Sequence, residues 1–225
     1  LRPEAGKAVV RLLRRLGHEV NFPAAQTCCG QPFYNSGFTD LARGQALHTL
    51  DVFAGDDVVV TPSGSCAAMV KVEYPHLFEQ GSEPHRRALD LAARTFEFSD
   101  FLVNRLGIVD VGAKFEGRVT YHYACHLRGL KLTNEAERLI RNVRGATYVP
   151  LGHDDQCCGF GGSFAVRYPQ ISTAMVTDKT RCIAATQADV VVSTDAGCLM
   201  NIGGKLRREG NPVRVLHLAE LLDSS

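Results

Sequence analysis

The chain carries one unusual pattern twice. Cys28-Cys29-Gly30 in the first half is followed by Val58-Val59-Val60-Thr61-Pro62-Ser63-Gly64-Ser65-Cys66, and Cys157-Cys158-Gly159 in the second by Val190-Val191-Val192-Ser193-Thr194-Asp195-Ala196-Gly197-Cys198. Arg11-Leu12-Leu13-Arg14-Arg15-Leu16 with Pro23 behind it is echoed by Arg138-Leu139-Ile140-Arg141-Asn142-Val143 with Pro150 behind it. Self-similarity at a nearly constant register implies an internal duplication, so the two halves must solve the same folding problem in similar ways.

The second half holds a further cysteine, Cys125, 32 positions before Cys157. Its counterpart would fall about four positions before Leu1, and the strand expected over Gly117 to Tyr123 likewise has no first-half equivalent. The expectation is that the sequence begins just inside the first repeat, with that repeat's N-terminal strand and first cysteine missing. Two units of about 110 residues suit a chain of this length. Gly107 to Gly117 carries three glycines and no periodic pattern, which places the boundary near Gly112: residues 1–112 as the first domain and 113–225 as the second.

Apolar residues make up 45% of the chain and charged residues 22%, enough to build a core, while a net charge of +1 gives no electrostatic case for nucleic acid. There is no signal-peptide-like apolar stretch and no run long enough for a membrane span. The expected setting is the cytoplasm. Eight cysteines are too few for a disulfide-dense secreted scaffold, and adjacent cysteines bond to one another only with strain. Reduced thiols follow. Cys182 lies outside the repeated pattern and reads as a small buried hydrophobe in a helix.

Apolar runs and turn signals alternate so as to predict α/β architecture: two tandem pseudo-repeated units, each with a mainly parallel sheet flanked by helices. In the second half the strands are expected at about Arg118 to Tyr123, Ala146 to Val149, Asp189 to Ser193 and Val213 to Leu216. Helices are expected at Thr133 to Val143, Phe164 to Thr186, Ala196 to Arg208 and Leu218 to Leu222. Loops after the carboxyl ends of parallel strands gather on one edge. Cys125, Cys157, Cys158 and Cys198 each follow a strand, so they should converge despite their separation. Four thiolates near helix N-termini suit an iron–sulfur cluster or a tetrahedral zinc ion. Cys28, Cys29 and Cys66, with a cysteine upstream, form the corresponding first-half set. His126 beside Cys125 is placed to tune a thiolate or take a ligand position. His122, in the strand, reads equally well as a half-exposed sheet residue, and His153 has a weaker case. Arg128 offers a two-pronged contact for a carboxylate, against the ordinary reading of a surface arginine; Asp154-Asp155 reads as a solvated turn.

On Gln26-Thr27-Cys28-Cys29-Gly30-Gln31-Pro32, Asn35-Ser36-Gly37, Pro62 to Met69, Cys157-Cys158-Gly159-Phe160-Gly161-Gly162 and Gly197-Cys198, the chain resembles the cysteine-rich CCG-domain family, in particular its lactate-utilization members. The cysteine-rich component of heterodisulfide reductase and the iron–sulfur component of glycolate oxidase belong to the same superfamily. Members with the full pattern end it in Cys-x-x-Cys, whereas this chain has Met69 after Cys66 and Asn201 after Cys198. The resemblance implies an iron–sulfur redox subunit of a complex that oxidises L-lactate, a 2-hydroxy acid, to pyruvate and passes the electrons on. The other subunits of that complex are the implied partners, and the implied cofactor is an iron–sulfur cluster of 4Fe-4S type, with zinc as the alternative. No Gly-x-Gly-x-x-Gly follows a strand, so a nicotinamide or flavin is expected on a partner and not here. Two other classes stay open: a zinc-holding structural or assembly module, and a metal-free thiol–disulfide redox protein.

Overall fold

A computed structural model describes residues 2–224. The second half contains one four-stranded sheet, all parallel, in the order β4-β3-β5-β6: β3 (Lys114–Tyr121), β4 (Arg144–Tyr148), β5 (Val190–Ser193) and β6 (Arg214–His217). Val190, Val191 and Val192 are fully buried, as the central strand of a sheet covered on both faces requires. The chain runs from β3 outward to β4 and then returns to the other side of β3 to make β5. That reversal sets a topological switch point between the carboxyl ends of β3 and β5, where open α/β sheets leave a crevice.

The first half carries α1 (Pro3–Arg15), α2 (Gln31–Asn35), α3 (Thr39–Val52) and a two-stranded parallel sheet of β1 (Val59–Thr61) and β2 (Thr95–Glu97). Between the strands, α4 (Gly64–Ala68) continues through a π-helical turn over Met69–Glu73 into α5 (Tyr74–His76), and α6 (Glu83–Arg94) leads into β2. Pro75 sits inside this continuous helix; lacking an N–H and crowding the carbonyl of Lys71, it accounts for the widened turn. By the repeat, β1 and β2 correspond to β5 and β6. Residues 18–23, the counterpart of β4, form no strand. A groove of about 700 Å³ separates Val20, Phe22 and Pro23 from Val58 and Val60 and runs up to Cys28, Cys29 and Cys66. The position that β3 fills in the second half has no strand in the first among the described residues.

The remaining helices are α7 (Phe98–Asp100), α8 (Glu135–Arg141), α9 (Phe164–Arg167), α10 (Pro169–Ala185), α11 (Ala196–Arg208) and α12 (Leu218–Leu222). The helix expected over Phe164 to Thr186 is broken at Tyr168, because Pro169 clashes with an α-helical residue before it and Tyr168 takes φ −129°, ψ 60°. The first strand begins earlier than expected, at Lys114, with a register shift before Gly117. Thr133 stands outside α8 and donates its N–H to Glu135 Oε2 at 2.7 Å. One core spans both halves: Ala8, Leu12 and Leu13 of α1, with Phe98 and Leu102, join the cluster built on β3, β5 and α12. Each large apolar side chain buried there contributes about 1.5–3 kcal/mol. The ion pair Arg11–Asp223, 2.6 Å, lies on the rim of the α1–α12 contact and adds little beside it.

Candidate metal centre

The second-half cysteines come from three strand ends. Cys125 follows β3 in a short 3₁₀ turn, Cys157 and Cys158 lie in the loop after β4, and Cys198 occupies the first turn of α11 after β5. The structure brings all four together at the switch point. Cys157 is drawn well below the ordinary thiol range because it accepts hydrogen bonds from Cys125 and then Cys158, with the Gly159 N–H adding a third. Cys125 is pushed up, chiefly by donating to Cys157, and Cys158 by donating to Cys157 and contacting Cys198, burial adding to both. Thiols held this close favour loss of a proton from one member, here Cys157, and each further proton lost leaves an anion needing compensation.

Two positive features supply part of it. Cys198 sits in the first turn of the thirteen-residue α11, at the positive end of the helix dipole. Lys179, fully buried, donates its ammonium to the His153 carbonyl at 2.7 Å; burial lowers its pKa, opposed by the nearby Cys182, Asp154, Asp155 and Cys158. Sequence reading passes over Lys179, because nothing in a helical pattern tells a buried lysine from an exposed one.

His122 is the largest correction. Its expected half-exposed place on the sheet is contradicted: it is 1% exposed, and one ring nitrogen and the sulfurs of Cys158 and Cys198 lie within 4.8 Å of one another. Neither ring nitrogen has a hydrogen-bond partner among the described residues, an arrangement that costs about 1–3 kcal/mol per unsatisfied group. Burial, then the charge of Lys179, lowers its pKa to about 4, so the ring is neutral and keeps a lone pair. β3 alternates exposed and half-buried residues up to Arg118 and is buried on both faces only from Val119 onward, so alternation alone could not place its end.

In the first half Cys29 lies against both Cys28 and Cys66 and offers its single S–H to one or the other, which lowers both and raises Cys29; Cys28, the most open, is drawn down to about 6. Cys66 follows β1 on α4 as Cys198 follows β5 on α11. The two groups face each other across the repeat interface. Asp195 caps α11 through the Gly197 N–H at 3.0 Å and also accepts from the Ser65 N–H and Ser63 hydroxyl of the first half, each at 3.2 Å. Gln31 donates to the Ser65 carbonyl at 3.0 Å and to His126 Nε2 at 3.1 Å. Nε2 therefore accepts, and Nδ1 carries the proton toward the Cys125 sulfur 3.7 Å away. Gln31 and Asp195 act only through tertiary contacts, which no motif announces.

The other candidates stand apart from the thiols. Arg128 is exposed, donates to the Asp155 carbonyl and lies over the Tyr123 ring at 5.8 Å. Asp154 and Asp155 are exposed in a turn with His153, and Cys182 is half-buried against the main core.

Backbone shape points the same way as the donors. Gly159 has φ +78°, and a Cβ there would lie 2.8 Å from the Ser172 carbonyl, so only glycine lets the chain turn closely behind the two sulfurs. Asn201, three residues after Cys198, donates to the Cys158 carbonyl at 2.8 Å and braces the same turn. Four convergent thiols and an unpartnered buried imidazole are a donor set that fits a thiophilic metal or an iron–sulfur cluster.

Parallel α/β units with cysteines gathered from three strand ends define a cysteine-rich α/β class whose thiols could hold a metal. The chain belongs to the cysteine-rich (CCG) domain family, whose model matches residues 1–71 and 119–203. It is similar to lactate utilization protein A of Geobacillus sp. (strain WCH70), 50% identical over 98% of this chain and 92% of the relative. The same-named proteins of Geobacillus thermodenitrificans and Bacillus licheniformis are 51% and 48% identical, over 97% of this chain and 91% and 92% of theirs. Among the described residues no helix is long and apolar enough to cross a membrane.

Proposed function

We propose that this chain is the iron–sulfur redox subunit of an L-lactate oxidation complex, relaying electrons released as the 2-hydroxy acid becomes pyruvate. The observation that carries the reading is the convergence of Cys125, Cys157, Cys158 and Cys198 at the switch point between the carboxyl ends of β3 and β5. These four would hold one cluster, and Cys28, Cys29 and Cys66 would contribute to the corresponding first-half group. The names of the similar proteins supply lactate as substrate class.

A bound cluster supplies one-electron redox chemistry, and the protein's part is to hold and tune it. Converting lactate to pyruvate removes two electrons and two protons, so the carbon–hydrogen bond is broken on a partner and this chain takes electrons one at a time. Lys179 and the α11 N-terminus offset thiolate charge. The His126 Nδ1–H donates toward Cys125, and such a hydrogen bond to a ligand sulfur raises a cluster's reduction potential. The cysteine-rich edge, with Cys28 exposed and Cys125 and Cys157 half-buried, is the face presented to partner subunits. The test is anaerobic purification followed by iron, sulfide and zinc analysis with visible and electron paramagnetic resonance spectra. Iron with matching sulfide and broad visible absorption supports the reading; stoichiometric zinc without iron overturns it in favour of a structural module.

A further inference from the structure

Of the polar groups around the second-half thiols, the buried hydroxyls of Thr120, Tyr121, Ser193 and Thr194 on the adjoining strand ends have no hydrogen-bond partner among the described residues, but a neutral hydroxyl is a poor ligand beside thiolates. Asn201 is occupied by the Cys158 carbonyl, Lys179 by the His153 carbonyl and His126 by Gln31 and Cys125. His122 is not. Its backbone N–H pairs with the Val192 carbonyl at 2.8 Å, extending the ladder one residue past β3, and this fixes the direction of the side chain. The imidazole lies buried at the switch point against Cys158 and Cys198, with both ring nitrogens unpartnered. A native fold rarely leaves a buried polar group unmet, and an ion or a water outside the polypeptide is a common partner.

We propose that His122 binds, through one ring nitrogen, the same metal or cluster as Cys158 and Cys198, giving the second half a mixed thiolate and imidazole site. The fifth cysteine of the Cys-x-x-Cys ending is replaced here by Asn201, whose amide is spent on the backbone, so the nitrogen of His122 is the free donor remaining beside the four thiols. The identity of the bound group rests on the proposed function; the ligand role does not. A neutral imidazole in place of a fifth thiolate carries one negative charge less, so a second-half cluster would accept an electron more readily than one ligated by five thiolates.

The test reads the metal's own neighbours. Protein grown with unlabelled or ¹⁵N-labelled histidine is reconstituted anaerobically with ferrous iron and sulfide, reduced, and measured by pulsed electron paramagnetic resonance; a parallel sample loaded with zinc alone is measured by X-ray absorption. A strongly coupled histidine nitrogen is expected, shifted by the label, lost in His122→Cys and retained in His126→Gln. His122→Cys should keep its iron while its midpoint potential falls. Iron without a coupled histidine nitrogen, or a coupling that survives His122→Cys, overturns the proposal and leaves the iron–sulfur reading standing. Zinc with a histidine nitrogen at about 2.0–2.1 Å, where iron does not bind, does the reverse. A protein that binds neither metal loses both. The labelled wild type together with labelled His126→Gln decides the matter even if His122→Cys fails to fold.

Discussion

Cys28 and Cys157 hold equivalent places in the two triplets, and each takes a hydrogen bond from a neighbouring thiol, but Cys28 is exposed. Its pKa of about 6 lies below the ordinary thiol value, so in the metal-free protein the thiolate is present above that pH and lost on acidification. Alkylation of Cys28 should therefore rise steeply near pH 6 and level off well before the usual thiol range, as peptide mass spectrometry after brief iodoacetamide treatment across roughly pH 5 to 8 would show. A labelling rate that climbs only above pH 8 would contradict the assigned hydrogen bond. A second residue-level effect belongs to His126. Replacing it with leucine removes the donor toward Cys125, so the reconstituted protein should keep its iron while a redox titration finds a lower midpoint potential; an unchanged potential would mean that the 3.7 Å contact is not a hydrogen bond.

Among the elements, the loop after β4 is the most constrained. Gly159→Ala places a Cβ against the Ser172 carbonyl in a left-handed backbone, which should lower stability by about 1–3 kcal/mol in urea unfolding and reduce metal uptake with it. Gly152→Ala, in open space a few residues earlier, is the matched control with little expected effect. The strands, helices and cysteine positions of the second half were legible because the buried valine run and turn residues act locally. The break at Tyr168 was written in Pro169 and is a matter of reading the residue before a proline. His122 was misplaced for a different reason. Alternation assigns one side of a strand to solvent, whereas β3 lies between β4 and β5 under helices on both faces and offers its terminal residue no such side.

At the scale of the molecule, the repeats meet through the same parts that carry the cysteines. Asp195 caps the helix of Cys198 while binding Ser63 and Ser65 on the helix of Cys66, so Asp195→Ala should cost about 1–2 kcal/mol of stability and weaken both cysteine groups together. Denaturant unfolding checks the first part and metal titration the second; loss confined to the second half would show that the interface does not couple them. None of this was readable from sequence, since Ser63 and Asp195 become neighbours only when the halves dock. The duplication itself was readable, and the groove beside β1 was not. The account turns on the four-thiol site of the second half, and the iron retained by Cys158→Ser and Cys182→Ser after identical anaerobic reconstitution tests it most directly. Loss of most bound iron and sulfide in Cys158→Ser, with little change in Cys182→Ser, is the predicted result; equal losses in the two, or full retention in Cys158→Ser, would contradict it.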